Sequence, residues 1–209
     1  MIRLWGRTNS MNVQKVLWTL DELGLRYERL DAGMQFGINN TPDYLQKNPN
    51  GKVPLLEDDG YAIWESQAIC RYLCNQYQGS GLYPLDARER GQVDQWLDWA
   101  NAGVNNSLSV VFWQTLRLPE DQRDAKKLQE ETDKTVAALK VFNQGLMNRR
   151  FIATDRFSLA DMAMAPVVFR CVGLQLIDPS QPQWAALADW YTGVQQNQWF
   201  KKWVVQPLK

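Results

Sequence analysis

The chain contains no histidine. That absence excludes a Ser-His-Asp or Cys-His nucleophile and every metal site built on imidazole, and no metal is expected. Any base must be a carboxylate, a lysine, a tyrosine or the substrate itself. There is no Cys-x-x-Cys pair, which argues against a thioredoxin-type dithiol enzyme. The three cysteines, Cys70, Cys74 and Cys171, are expected to be buried free thiols in a reducing compartment. Formal net charge is zero, so nothing favours nucleic acid or an anionic membrane as partner. No apolar run reaches transmembrane length. The first residues, Met1-Ile2-Arg3-Leu4-Trp5, enter a strand-like pattern without the apolar stretch of a signal peptide, so a cytoplasmic protein is the expectation. Internal repeats and low-complexity segments are also missing.

What is present organises around one stretch. Asn48-Pro49-Asn50-Gly51 is turn chemistry, and Val53 to Glu57 is a short apolar run suited to a strand. Asp58-Asp59-Gly60 signals a hairpin, with Tyr61 to Trp64 as the returning strand. Pro54 cannot donate to a ladder and belongs at a strand start or edge. Ala68, Ile69, Tyr72 and Leu73 then recur at helical spacing, with Ser66 as the N-cap. The free amides of such a helix start attract an anion, and Glu65 beside them can pair with an ammonium. An ordinary capped helix with a solvated glutamate satisfies the same local residues, and both readings stay open at this level.

In chain order, Ile2 to Trp5 is a strand, Gly6 to Ser10 a polar turn, and Val13, Val16, Leu17, Leu20 and Leu23 mark a helix ended by Gly24. Tyr27 to Leu30 completes a parallel βαβ unit. A loop from Asp31 to Asn40, a short helix from Pro42, the hairpin and the Ser66 helix give βαβαββα over residues 1–77. Residues 78–86 have linker composition, and residues 87–209 read as all helical. Ala87 to Arg117 is one long helix or two, bent near Gly103. A helix is expected from Pro119 to Asn148, another from a capping box at Ser158-Leu159-Ala160-Asp161 with Pro166 inside it, and a last one from Pro182 to Val204. The ten tryptophans read as core or pocket wall.

The ordered set Asn48-Pro49-x-Gly51-Lys52-Val53-Pro54, a hairpin, and Glu65-Ser66-x-Ala68-Ile69 resembles the glutathione S-transferase superfamily. The resemblance covers nearly the whole chain and is strongest over residues 1–75 and 151–170. It implies a thioredoxin-like first domain, a helical second domain, a cis Pro54, and glutathione as substrate with no tightly bound cofactor. It assigns the cysteinyl part of glutathione to the Val53 backbone, the γ-glutamyl end to Glu65 and Ser66, the glycyl carboxylate to Lys52, and a loop contact to Gln35. Here the loop departs from commoner ones that carry two adjacent glycines and a basic residue, which weakens the expectation at the glycyl end.

Such enzymes must stabilise a thiolate. A free cysteine thiol has a pKa of about 8.5, and lowering it by ~2 units takes about 2.7 kcal/mol. A hydroxyl or amide donor at a positive helix terminus can supply that. Within Ser10-Met11-Asn12-Val13-Gln14-Lys15-Val16, Ser10 matches the serine-type classes such as theta, and Asn12 matches a bacterial asparagine type; Ser10 leads, with Asn12 as co-donor or replacement. The resemblance implies conjugation to a small hydrophobic electrophile bound between the domains near Trp99, Asn106, Val110, Trp113 and Trp190, and a homodimer. Glutathione-dependent reduction of peroxides or disulfides is one alternative on this scaffold. A non-catalytic glutathione- or ligand-binding protein is another.

Overall fold

The computed structural model describes residues 1–208. The first part is the anticipated βαβαββα unit: β1 (Ile2–Trp5), α1 (Met11–Glu22), β2 (Tyr27–Leu30), α2 (Pro42–Lys47), β3 (Leu55–Asp58), β4 (Tyr61–Trp64) and α3 (Ser66–Gln76). The sheet order is β2-β1-β3-β4. β1 runs parallel to β2 and antiparallel to β3, and β4 returns antiparallel to β3. Two turn signals act as expected. Asp59 and Gly60 both take positive φ (45° and 91°) in the two-residue hairpin, as a turn matched to strand twist requires. Gly24, at φ 64°, closes α1 with its amide on the Asp21 carbonyl while Leu25 N–H reaches Leu20, the paired bonds of a Schellman end.

Six helices follow: α4 (Ala87–Ala102), α5 (Val104–Phe112), α6 (Ala125–Gly145), α7 (Leu159–Gly173), α8 (Ala185–Val194) and α9 (Gln198–Trp203). The chain does bend at Gly103, and α5 runs out in a five-residue π-helical turn, Trp113–Arg117. Two expected boundaries are corrected. The helix placed from Pro119 begins at Ala125, because the Asp124 side chain accepts from Lys127 N–H (2.9 Å) and caps it, while Glu120–Gln122 form only a 3₁₀ turn. The final helix is broken into a 3₁₀ turn, α8 and α9, because Asn197 caps a fresh start by accepting from Trp199 and Phe200.

The capping box at the start of α7 forms. Asp161 is fully buried and accepts from Ser158 N–H (3.0 Å) and from the Ser158 hydroxyl (3.0 Å). It also accepts from Ile152 N–H (3.1 Å) and Trp190 Nε1 (2.8 Å). Burial pushes its carboxyl above the usual range, and these donors pull against that. One hydrophobic core joins the sheet-bearing part to the helices. Its hinge is α1, whose Trp18 is fully buried against Phe157 and Phe200, with ring centroids 5.6 and 5.9 Å away.

Candidate active site

β1 delivers the chain through Gly6–Asn9 to the N-terminus of α1. Ser10 occupies the N-cap position in extended backbone, yet its side chain makes no capping hydrogen bond. Facing this start is the β4–α3 junction. There Glu65, not Ser66, holds the cap position, and Ser66 is the first helical residue. Glu65 stands at φ 69°, ψ 114°. A non-glycine residue in that region costs of order 1–3 kcal/mol and persists where the surroundings dictate it. The surroundings here are a strand that must turn directly into a helix whose first amides open on the same cleft.

That cleft, shallow at about 40 Å³, is lined by Asn12, Asn48, Asn50, Lys52, Val53, Pro54, Trp64, Glu65 and Ser66. It therefore brings together Asn12, Lys52, Val53, Glu65 and Ser66 of the expected residues. The Val53–Pro54 peptide is cis. The Lys52 carbonyl is fixed from two sides, by the Tyr44 hydroxyl (2.6 Å) and Asn48 Nδ2 (2.7 Å). Ser10 and Gln35 do not line it. Ser10 is buried beside it, and Gln35 is exposed on a 3₁₀ turn, Met34–Phe36.

Beneath Asn12 lies Lys15, only 2% exposed. Its Nζ donates to Asn12 Oδ1 (3.2 Å), and the Ser66 hydroxyl donates to the same oxygen (3.4 Å). An ammonium can only donate, so the amide atom facing Lys15 must be the oxygen, and Nδ2 is left as the donor turned elsewhere. Burial holds the Lys15 amine down to about 8, opposed by the nearby Cys70 and Glu65. The amine therefore still carries its charge at neutral pH.

The residues expected to wall a second-substrate site separate. Trp190 is 4% exposed, its indole N–H is bound to Asp161, and its ring abuts Phe142 at 5.0 Å. It packs into the core while also lining a cavity with Phe157, Asp189 and Val194, away from the α1 terminus and the Glu65–Ser66 cleft. Trp99 packs edge-on to Trp96 (5.1 Å) at the margin of the same core. Asn106 is exposed and spends its amide on the Ala102 carbonyl, Val110 is half-buried, and Trp113 is 46% exposed. Residues not anticipated stand closer to the α1 terminus. Arg170 of α7 donates to the Asn9 carbonyl (3.1 Å) and lies over the Phe112 ring (4.3 Å); Arg117 lies over the same ring (5.6 Å). The readable signal for Arg170 was the single basic residue in α7, an otherwise apolar helix whose one other charge is Asp161 in its first turn. Asn48 had been read only as a turn residue.

All three cysteines are buried and free. Burial raises the thiols of Cys70 and Cys171 to about 11 and 12, and that of Cys74 likewise upward, so none is a ready nucleophile. Among the described residues no cluster of three or more cysteines and carboxylates offers a metal site, and no helix is long and apolar enough to cross a membrane.

Comparison with known proteins fits this geometry. The model of the glutathione S-transferase N-terminal domain matches residues 1–75, and that of the C-terminal domain matches residues 104–197. Glutathione S-transferase GstB of Escherichia coli K12 is 36% identical over 210 residues, covering all of both chains. Glutathione S-transferase F10 of Arabidopsis thaliana is 34% identical over 77% of this chain and 76% of its own. Among solved structures, the glutathione-bound theta class enzyme of Xanthomonas axonopodis pv. citri superposes with a TM-score of 0.91 at 32% identity, over 100% of this chain and 99% of that one. Glutathione transferase F2 of Populus trichocarpa gives 0.86 at 26% identity, over 97% and 96%. With matching domain models at both ends and relatives aligned along its full length, the chain belongs to the glutathione S-transferase family.

Proposed function

We propose that this protein conjugates the glutathione thiolate to an electrophilic carbon, with Asn12 as the principal thiolate donor. The observation that carries this reading is the fixed amide of Asn12. Its oxygen is occupied by Lys15 and Ser66, so Nδ2–H is offered to a ligand without reorganisation. The α1 terminus and the Lys15 ammonium beneath add positive potential to the same spot. Together they need to supply about 2.7 kcal/mol to bring a thiol down by ~2 units. Glutathione lies across the cleft, with its cysteinyl amide on the Val53 backbone, its γ-glutamyl end at Glu65 and Ser66, and its glycyl carboxylate near Lys52. The thiol proton leaves to solvent, the sulfur attacks, and the leaving group departs with its electron pair. No protein base is retained, which suits a chain without histidine.

Ser10 keeps a supporting role, since its hydroxyl is uncommitted to capping but lies outside the cleft lining. Gln35 stays a peripheral contact, and the domain limits at 77 and 87 follow the gap between α3 and α4. The enzyme is a cytoplasmic homodimer in this reading. Reduction of peroxides or disulfides would have to run through glutathione itself, because the protein's thiols are buried and hard to ionise.

The test is titration of bound glutathione by thiolate absorbance. In wild type the thiol ionises well below 8.5. Asn12→Ala raises its midpoint by at least one unit while glutathione still binds, and Ser10→Ala raises it less. Bound glutathione that titrates like the free tripeptide would leave a binding protein instead of an enzyme.

A further inference from the structure

A larger hollow, of about 290 Å³, shares no residue with the Glu65–Ser66 cleft. Its floor is aromatic. Trp190 is buried with its indole N–H committed to Asp161 (2.8 Å), and Phe157 stacks on Trp18 (5.6 Å), so both offer only apolar surface. Phe151 meets Phe157 edge-on (6.0 Å) and extends that surface toward the turn after α6. There Asn148, at φ 59°, redirects the chain, and the next two residues are Arg149 and Arg150. Both line the hollow, and Arg150 lies over the Phe151 ring (5.2 Å). Among the described residues neither arginine forms an ion pair, although Asp189 lines the same hollow. On their other side the arginines border an open trough of about 520 Å³, where Glu89 is already paired with Arg156 (2.8 Å) and Asp155 pairs with neither arginine. Gly193, in the last turn of α8, completes the hollow. Its φ lies outside the left-handed region, and a Cβ there would meet no atom within 4 Å. Neither backbone nor packing therefore requires glycine, a poorer helix former than alanine; its effect is to keep that side of the hollow open.

An aromatic floor with a cationic edge is complementary to one kind of small molecule. We infer that this hollow is a binding site for a flat aromatic carboxylic acid, its ring against Trp190, Phe157 and Phe151 and its carboxylate on Arg149 and Arg150. Guanidinium presents a planar fork of donors that fits a carboxylate, and it stacks on aromatic faces as Arg150 already does on Phe151. The volume suits one or two fused rings, near the lower end of ordinary ligand pockets. Asp189 sets the charge. Two guanidinium groups, this carboxylate and one ligand anion sum to zero, whereas a dianion is opposed. An inorganic anion gains nothing from the aromatic floor. The site lies outside the transferase cleft and does not depend on that reading. Its occupant touches the indole that serves Asp161 and the ring stacked on Trp18, and binding the folded chain alone stabilises it.

The test is calorimetric titration at neutral pH with 2-naphthoate and with 2-naphthamide, which share their rings and differ in one charge. The wild type should bind 2-naphthoate with a Kd below about 100 μM and the amide at least tenfold more weakly. Exchanging both arginines, Arg149→Gln with Arg150→Gln, should bring the two affinities together. Gly193→Leu should fill the hollow and abolish binding of both compounds, while it melts no lower than wild type. Saturating S-methylglutathione should leave the 2-naphthoate affinity unchanged, because the cleft and the hollow share no residue. Displacement by S-methylglutathione, an affinity unaltered in Gly193→Leu, or no binding at millimolar concentration overturns the inference. Equal wild-type affinities for acid and amide, or a preference for the acid that survives loss of both arginines, overturn it as well.

Discussion

Lys15 shows how one residue can act against the fold and for the chemistry. Its amine titrates near 8 in the folded chain against 10.5 when free, because burial disfavours the charged form. Below about pH 8 both folded and unfolded chains hold the proton, and the fold bears the full penalty, about 3 kcal/mol. Between about 8 and 10.5 only the unfolded chain holds it, so Lys15 makes the fold more stable by ~1.4 kcal/mol per pH unit. Lys15→Met should therefore be more stable than wild type at pH 7, with the difference shrinking as pH approaches 10. Urea melts of both proteins at several pH values check this, and a pH-independent difference would refute the buried charge. The same variant should lose thiol activation at pH 7, because the Asn12 amide is no longer held. Ser10 and Asn12 were visible in the sequence as two rival donors. The preference for Asn12 proposed above rests on the contact with Lys15, which spacing alone does not give, since a lysine one turn away on a helix is as often solvated.

At the scale of elements, α7 depends on Asp161. Four donors converge on this fully buried carboxylate. Asp161→Ala leaves them unsatisfied and should cost about 3–5 kcal/mol, enough to unfold much of the protein. Trp190→Phe keeps most of the packing and removes one donor, so it should cost about 1–3 kcal/mol. Chemical denaturation measures both. If Trp190→Phe spared stability but impaired conjugation, Trp190 would belong to the substrate site after all. Local rules made the box at Ser158 readable, because both of its partners lie within four residues. They could not show that Trp190, twenty-nine residues on, completes it. The broken last helix is similar. Asn197 was an available cap, but the tryptophan periodicity ran across it and hid the interruption.

The whole molecule should melt as one unit. Trp18 is fully buried between Phe157 and Phe200, which lie in the second half of the chain, so residues 1–77 alone would expose it. Circular dichroism of that fragment should show little stable structure, and Trp18→Ala should cost the intact protein about 3–5 kcal/mol. Two separate transitions in the full chain would contradict this. Sedimentation at micromolar concentration should show twice the 24.2 kDa of the chain if the protein pairs as proposed. The two-part plan was legible in the sequence because each part keeps its own periodicity. Their shared core was not, since Val13, Val16, Leu17, Leu20 and Leu23 mark one apolar face of α1 and nothing local places Trp18 against Phe157 and Phe200. Nine of the twelve residues of α1 are buried, and the other three are Asn12, Asp21 and Glu22. Asp21 and Glu22 are tied to α9 through Lys202, Trp203 and Asn197. Asn12 is thus the one residue of α1 tied neither into the core nor to α9, and it lines the cleft proposed to hold glutathione. That freedom from the core is offset beneath it, because any replacement for Asn12 must still offer an acceptor to the buried Lys15 ammonium.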